Sequence, residues 1–266
     1  MKCAFAVLLT LASLLPAQSD TPKFEVASVK LNPTFVRGVA PVHFGSDSVR
    51  LTFVDLSIAL ILAWGVRDFQ IVGPEWLHSN TGGNSFNIDA KASHPVPEAQ
   101  LRLMLRPLLA ERFHLTLHHE QKEAAMIAMR QARSGAKVTS PADSIQPDTQ
   151  WMGFAGVLWM GFAGVLWTGS KFINATTESL AAAVGACTGR GLPPVIDQTG
   201  LKGRFDFVPP PIRLPPAPDG SALADEDRLA ACNLLTQENV GITLTRTKAP
   251  VDLLVIDHAD KVPTEN

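Results

Sequence analysis

The chain has 266 residues, 46% of them hydrophobic, enough to bury a core and too apolar for a disordered segment. Its 23 lysines and arginines against 25 acidic residues leave a net charge of −2. No run of like charge stands out, which excludes a nucleic-acid protein built on a concentrated basic face. Tyrosine is absent, so aromatic groups with a polar tip are limited to the five tryptophans.

The N-terminus carries a local signal. Lys2 precedes an apolar stretch from Ala4 to Leu15, interrupted only by Thr10 and Ser13. Leu15-Pro16-Ala17 then offers a small residue ahead of the polar Gln18-Ser19-Asp20. This is the pattern of an export signal cut near Ala17, with a periplasmic or extracellular destination. A membrane anchor is the alternative, but about twelve residues at ~1.5 Å each cover roughly 18 Å of a ~30 Å hydrocarbon layer. Cys3 precedes the apolar run, so it is not placed for lipid attachment. Cleavage removes one lysine and no acid, leaving −3. Cys187 and Cys232 remain, and an oxidising compartment permits a disulfide between them if their Cα atoms come within roughly 7 Å. Otherwise each is a small buried thiol on a helix.

Residues 24–30 alternate apolar and polar and read as a strand; Pro33, Gly38 and Gly45 break the chain after it. Residues 49–54 form a second strand. Asp55 is a plausible cap for a helix over 56–66, too apolar to be exposed, with Gly65 at its end. Residues 69–72 and 85–90 are strands around Gly73-Pro74 and the turn Thr81-Gly82-Gly83-Asn84. Residues 98–112 form a helix, in which Pro107 predicts a kink or an early break. Residues 114–120 and 125–130 then read as a hairpin pair of strands.

The later part of the chain follows the same order. A strand over 171–175 leads through Thr176 or Thr177 into a helix over 178–187, ended by Gly189-Arg190-Gly191. Strands follow at 194–197 and 203–208, a helix at 225–239, and strands at 242–247 and 251–257. Setting Glu111 on Glu238, an offset of about 127 residues, aligns residues 110–117 with 237–244 without a gap. The expectation is an α+β chain of two β-α-β-β-α-β-β repeats, helices packed on mixed or antiparallel sheets. Its parts are a signal peptide (1–17), a first repeat (18–140), a linker (141–170) and a second repeat (171–266). The linker holds a tandem octapeptide from Trp151 through Trp159 to Trp167, uncharged and spaced by glycines. One reading is weak membrane contact through those three tryptophans; the other is a strand or hairpin.

No reactive constellation stands out. His114, His118, His119 and Glu120 are the densest polar cluster. On a strand, His114 and His118 share a face roughly 13 Å apart at ~3.3 Å per residue, and His119 points the other way, so the cluster reads as a solvated face rather than a metal site. Asp257 and His258 are adjacent on a strand and cannot form an acid–base dyad by themselves. Asp197 and Arg204 flank the turn Thr199-Gly200 and can pair across it, for at most about 1 kcal/mol if exposed. No catalytic, cofactor or metal residue is assigned, and no cofactor is expected.

Several segments resemble a family of secreted, soil-associated proteins of unknown function with many paralogues in acidobacteria. They are residues 24–30, Pro74-Glu75-Trp76-Leu77, Asp89-Ala90-Lys91-Ala92, residues 108–113 and 118–123, the passage 195–207, Val255-Ile256-Asp257-His258 and Pro263-Thr264-Glu265-Asn266. The chain departs from the family pattern where tyrosine gives way to Trp64 and Phe205, and where His119 replaces arginine. The resemblance implies an envelope or extracellular role and no catalytic residues, and some relatives carry the domain beside BlaR-type sensor peptidases. The leading expectation is a non-catalytic extracytoplasmic binding or interaction module whose partner is an unidentified envelope protein or ligand. Its rivals are a secreted, metal-assisted hydrolase using His114, His118 or Asp257, and a sensor domain working with a membrane peptidase.

Overall fold

The computed structural model describes residues 22–32, 42–77, 85–140, 166–167, 172–189, 191–211 and 214–264. The export segment, the breaks at Pro33 and Gly38, the turn at 81–84, and Trp151 and Trp159 lie outside them. The fold is α+β, with four α-helices and three sheets among the described residues.

The first sheet has the order β1 (Val26–Asn32), β5 (Ser85–Lys91), β3 (Ser48–Val54), β2 (Val42–Phe44), every neighbour antiparallel. Two helices close its inner face. The first is α1 (Leu56–Trp64), whose cap Asp55 accepts from the Ile58 N–H at 2.8 Å. Gly65, at φ 68°, ends it by donating back to the Ile61 carbonyl at 2.9 Å. The helix has almost no polar face, and seven of its nine residues are buried. The second is α2 (Glu98–Arg112). Its Arg106 donates to the Ala63 carbonyl at 2.8 Å and its Arg102 to the Leu62 carbonyl at 3.3 Å, so cations finish the C-terminal end of α1. Leu60, Leu105 and Leu109 are fully buried here, and Phe86 meets Phe113 edge to face at 4.9 Å. Burying each such side chain is worth roughly 1.5–3 kcal/mol, so this interface holds α1 and α2 to the sheet.

Pro107 does not end α2, which continues through Arg112. The carbonyl robbed of its donor belongs to Leu103, an exposed residue, so water can replace the lost bond.

The second core is smaller. β8 (Phe172–Ala175) lies between β10 (Phe205–Phe207) and the two-residue β7 (Leu166–Trp167), which contains Trp167. Phe172 and Phe207 stack at 5.1 Å. α3 (Thr177–Thr188), capped by Thr176, packs against α4 (Asp225–Val240), and a disulfide joins Cys187 to Cys232 with Cα atoms 6.0 Å apart. Both cysteines are fully buried.

A third sheet ties the cores together, in the order β4 (Ile71–Val72), β11 (Ile242–His258), β6 (Thr116–Gln131), β9 (Val195–Asp197). β6 and β11 run antiparallel over almost their whole length. β4 joins β11 in parallel only at Leu254 and Val255, and β9 joins β6 in parallel only at residues 127–129. The hairpin pair expected at 114–120 and 125–130, and the two closing strands expected at 242–247 and 251–257, are therefore single long strands. Residues 120–125, Glu-Gln-Lys-Glu-Ala-Ala, contain no turn former. Their polarity reflects solvent on both faces, not a loop. Pro250 stands mid-strand opposite Glu123, where β4 does not reach β11 and proline costs no ladder bond on that side. The strand expected over 69–72 opens as a 3-10 turn, Asp68–Gln70.

Two helix-ending glycines differ in their surroundings. Gly65 has nothing within 4 Å of where a Cβ would stand. A Cβ on Gly241, at φ 70°, would run into the Gly135 carbonyl and lie 3.0 Å from the Lys137 nitrogen. Gly65→Ala is expected to lose about 1–2 kcal/mol from left-handed strain alone. Gly241→Ala should lose a further ~1–3 kcal/mol from overpacking. Urea unfolding of the two variants beside the parent chain measures the difference.

Candidate functional site

Five of the polar residues singled out by sequence, His114, His118, His119, Asp257 and His258, gather where the β6–β11 ladder meets the first core; Asp197 and Arg204 lie beside the second. α2 ends at Phe113, and His114 follows at φ 43°, a conformation costly for a residue with a Cβ. That turn sends the chain into β6. Past β11, the C-terminal residues run back along the end of α2, with the Asp260 N–H donating to the Phe113 carbonyl and the Thr264 N–H to the Arg112 carbonyl, both at 2.8 Å.

Each histidine here meets an aspartate. His114 Nδ1 lies 2.6 Å from Asp260 Oδ2, and His258 Nε2 lies 3.3 Å from Asp260 Oδ1, so one carboxylate bridges two imidazoles. His118 Nδ1 lies 2.9 Å from Asp257, and His119 Nδ1 lies 3.1 Å from Asp252. The strand pairing explains the last two contacts. His118 stands opposite Val255 and His119 opposite Leu254, so each aspartate is a diagonal neighbour, two residues along in opposite directions. Because adjacent strand residues face opposite ways, each face of the ribbon carries one pair.

Asp257 and His258 thus serve different partners. Asp252 and Asp260 were not among the residues read from sequence. Asp252 follows from strand register, whereas Asp260 lies beyond the strand and is placed only by the backbone bond to Phe113. Asp197 accepts from the Thr199 N–H at 2.8 Å and hydroxyl at 2.7 Å, a turn-forming role. Arg204 donates to the Asn174 carbonyl at 2.8 Å.

These histidine–aspartate pairs lie on the surface: His114 is 60% exposed and His118 53%. At that exposure solvent screening leaves each with little effect on stability. Among the described residues, no three histidine, cysteine, aspartate or glutamate side chains come together as a metal-binding group. The outer face of the first sheet forms an open depression lined by His43, Asp47, Arg50, Asp89 and Lys91. Its charges neutralise one another, Arg50 bonding Asp89 at 2.7 Å and Lys91 approaching Asp47 at 3.7 Å. The disulfide sits deep in the second core and clamps two helices; it offers nothing to a ligand at the surface.

One half-buried cation joins the two cores. Arg67, just before the 3-10 turn, donates to the Val195 carbonyl of β9 at 2.7 Å. Burial pushes its guanidinium below the ordinary value, and the nearby Glu178 and Asp197 carboxylates oppose that shift. The next contact along, from Gln70 Nε2 to the Asp252 carbonyl at 2.8 Å, fastens the same turn to the edge of β11. No helix among the described residues is long and apolar enough to cross a membrane.

The His114 hydrogen bond, aided by the charges of His114 and His258, holds the Asp260 carboxyl below the ordinary carboxylate range. A depressed folded-state value means that the stabilisation is present above the ordinary carboxylate value and is lost as pH falls through the depressed one. Carboxyl-carbon NMR should show Asp260 titrating below a normal aspartate, and His114→Ala should move its midpoint upward.

No curated protein and no solved structure matches the chain. The profile of the family described as "Protein of unknown function (DUF3738)" matches residues 58–259, well over half of the chain, and the chain belongs to that family.

Proposed function

We propose that this member of the family is exported and acts outside the cytoplasm as a non-catalytic interaction module, as in the soil-associated secreted group it resembles. The observation that carries the reading is the ribbon formed by β6 and β11 between the two cores. Over residues 116–125 most side chains are exposed, and β9 covers β6 only from Ile127 onward. A two-stranded ribbon has little stability of its own, and an edge of this kind accepts an extended segment of a partner through backbone hydrogen bonds. The edge of β11 is less suited, because Pro250 lacks a donor and Gln70 already occupies the Asp252 carbonyl. The occupant we favour is therefore an extended polar segment of an envelope protein lying along β6. Dispersed surface histidines, each held by an aspartate, suit a recognition face better than a hydrolytic centre, which needs its groups around one reacting atom.

Export is supported by the bridge between Cys187 and Cys232, since such bonds persist in oxidising compartments. The leader ending near Ala17 adds to this.

Expression of the whole chain with its own N-terminus in a diderm bacterium tests both parts. The recovered chain is expected to begin near Gln18, to fractionate outside the cytoplasm and to show no free thiol when denatured without reductant. An unprocessed cytoplasmic chain with reactive Cys187 and Cys232 would overturn the export reading. A photo-crosslinker at Gln121 is expected to capture one reproducible envelope protein in intact cells, and a crosslinker at exposed Leu234 of α4 is not. Substrate turnover that disappears in His118→Ala would instead establish the hydrolase.

A further inference from the structure

The last strand of each half of the chain crosses to the other half's core. β6 leaves α2 with Leu115 and Leu117 packed in the first core and ends with Ile127 and Met129 in the second. β11 leaves α4 with Ile242 and Leu244 in the second core and ends with Leu254 and Ile256 in the first. The pairing has a matching regularity. The 127-residue offset read from Glu111 and Glu238 carries Ile127 onto Leu254. Ile127 is where β9 joins β6, through Val195, and Leu254 is where β4 joins β11, through Ile71. Only Glu123–Pro250 maps onto itself, which marks it as the centre of a local two-fold relation.

A second observation is independent of that ladder. Phe53 and Asn174 both have φ 55°, and each lies two residues before a helix cap, Asp55 and Thr176. Each N–H donates to a side-chain oxygen on the partner strand, Asn87 at 3.1 Å and Asp206 at 2.9 Å. Each lies beside a break in strand register, between Leu51 and Val54 and between Phe205 and Phe207. A phenylalanine in this conformation is rare, so its recurrence with the same acceptor geometry is not explained by composition.

We propose that the chain is an internal pseudo-dimer: two β-α-β-β-α-β halves that exchange their final strands, so that neither half completes its core without the other. The linker across 141–165 is then dispensable for holding the halves together, and so is the disulfide, since both cysteines belong to the second half.

The test is to place a protease site within residues 141–165 of the full chain and cut the folded protein. The two pieces are expected to co-elute at the mass of the intact chain without reductant and to unfold in a single transition. Two folded pieces that separate under native conditions would overturn the proposal. A second measurement avoids the inserted site. Leu254→Ala, a change in the second half, should raise amide exchange in Ser48–Val54 and Ser85–Lys91 of the first half at least tenfold. An effect confined to α3 and α4 would count against strand exchange.

Discussion

The antiparallel ladder between Thr116–Gln131 and Ile242–His258 is the constraint on which the architecture depends. Its two ends are buried in different cores while its middle is solvated. The register is therefore fixed from outside, by Ile127 and Met129 at one end and Leu254 and Ile256 at the other. A slip by one residue would turn all four side chains to the wrong face, and both cores would fail together. The short strands β4 and β9 extend the ladder only at these buried ends. Arg67 and Gln70 add polar contacts across the same junction.

Elements whose physics is local were legible in the sequence. α1 announces itself through an apolar run between Asp55, a side-chain acceptor for the free N–H groups, and Gly65, a residue free to turn left-handed. The cap at Thr176 follows the same logic. The long strands were misread because strand propensity is a statement about surroundings. Residues 120–125 look like a connection by composition, and only the partner strand shows that they carry on. Pro107 does not shorten the helix expected over 98–112, because the carbonyl it leaves without a donor belongs to the exposed Leu103. The polar pairs were half legible. His118 and Asp257 were both picked out, but their contact depends on a register set 139 residues apart. Asp260 meets His114 only because a C-terminal run folds back on the end of α2.

The electrostatics of the surface show restraint. Arg50 with Asp89 and Arg246 with Glu226 neutralise charge locally, and the histidines are hydrogen-bonded to Asp252, Asp257 and Asp260. Such pairs add little stability, because water screens them and ordering long side chains costs entropy. They do remove strong long-range fields, in keeping with the near-neutral net charge.

Pro250 has a consequence for solubility. A long exposed ribbon invites stacking of identical copies edge to edge, the geometry from which fibrils grow. Propagation requires each strand to accept a neighbour on both sides. A residue with no amide hydrogen at the midpoint of one side, and an occupied carbonyl two residues on, make that side a poor template. Lateral growth along the β11 side is therefore disfavoured, and stacking that needs both sides of the ribbon is disfavoured with it.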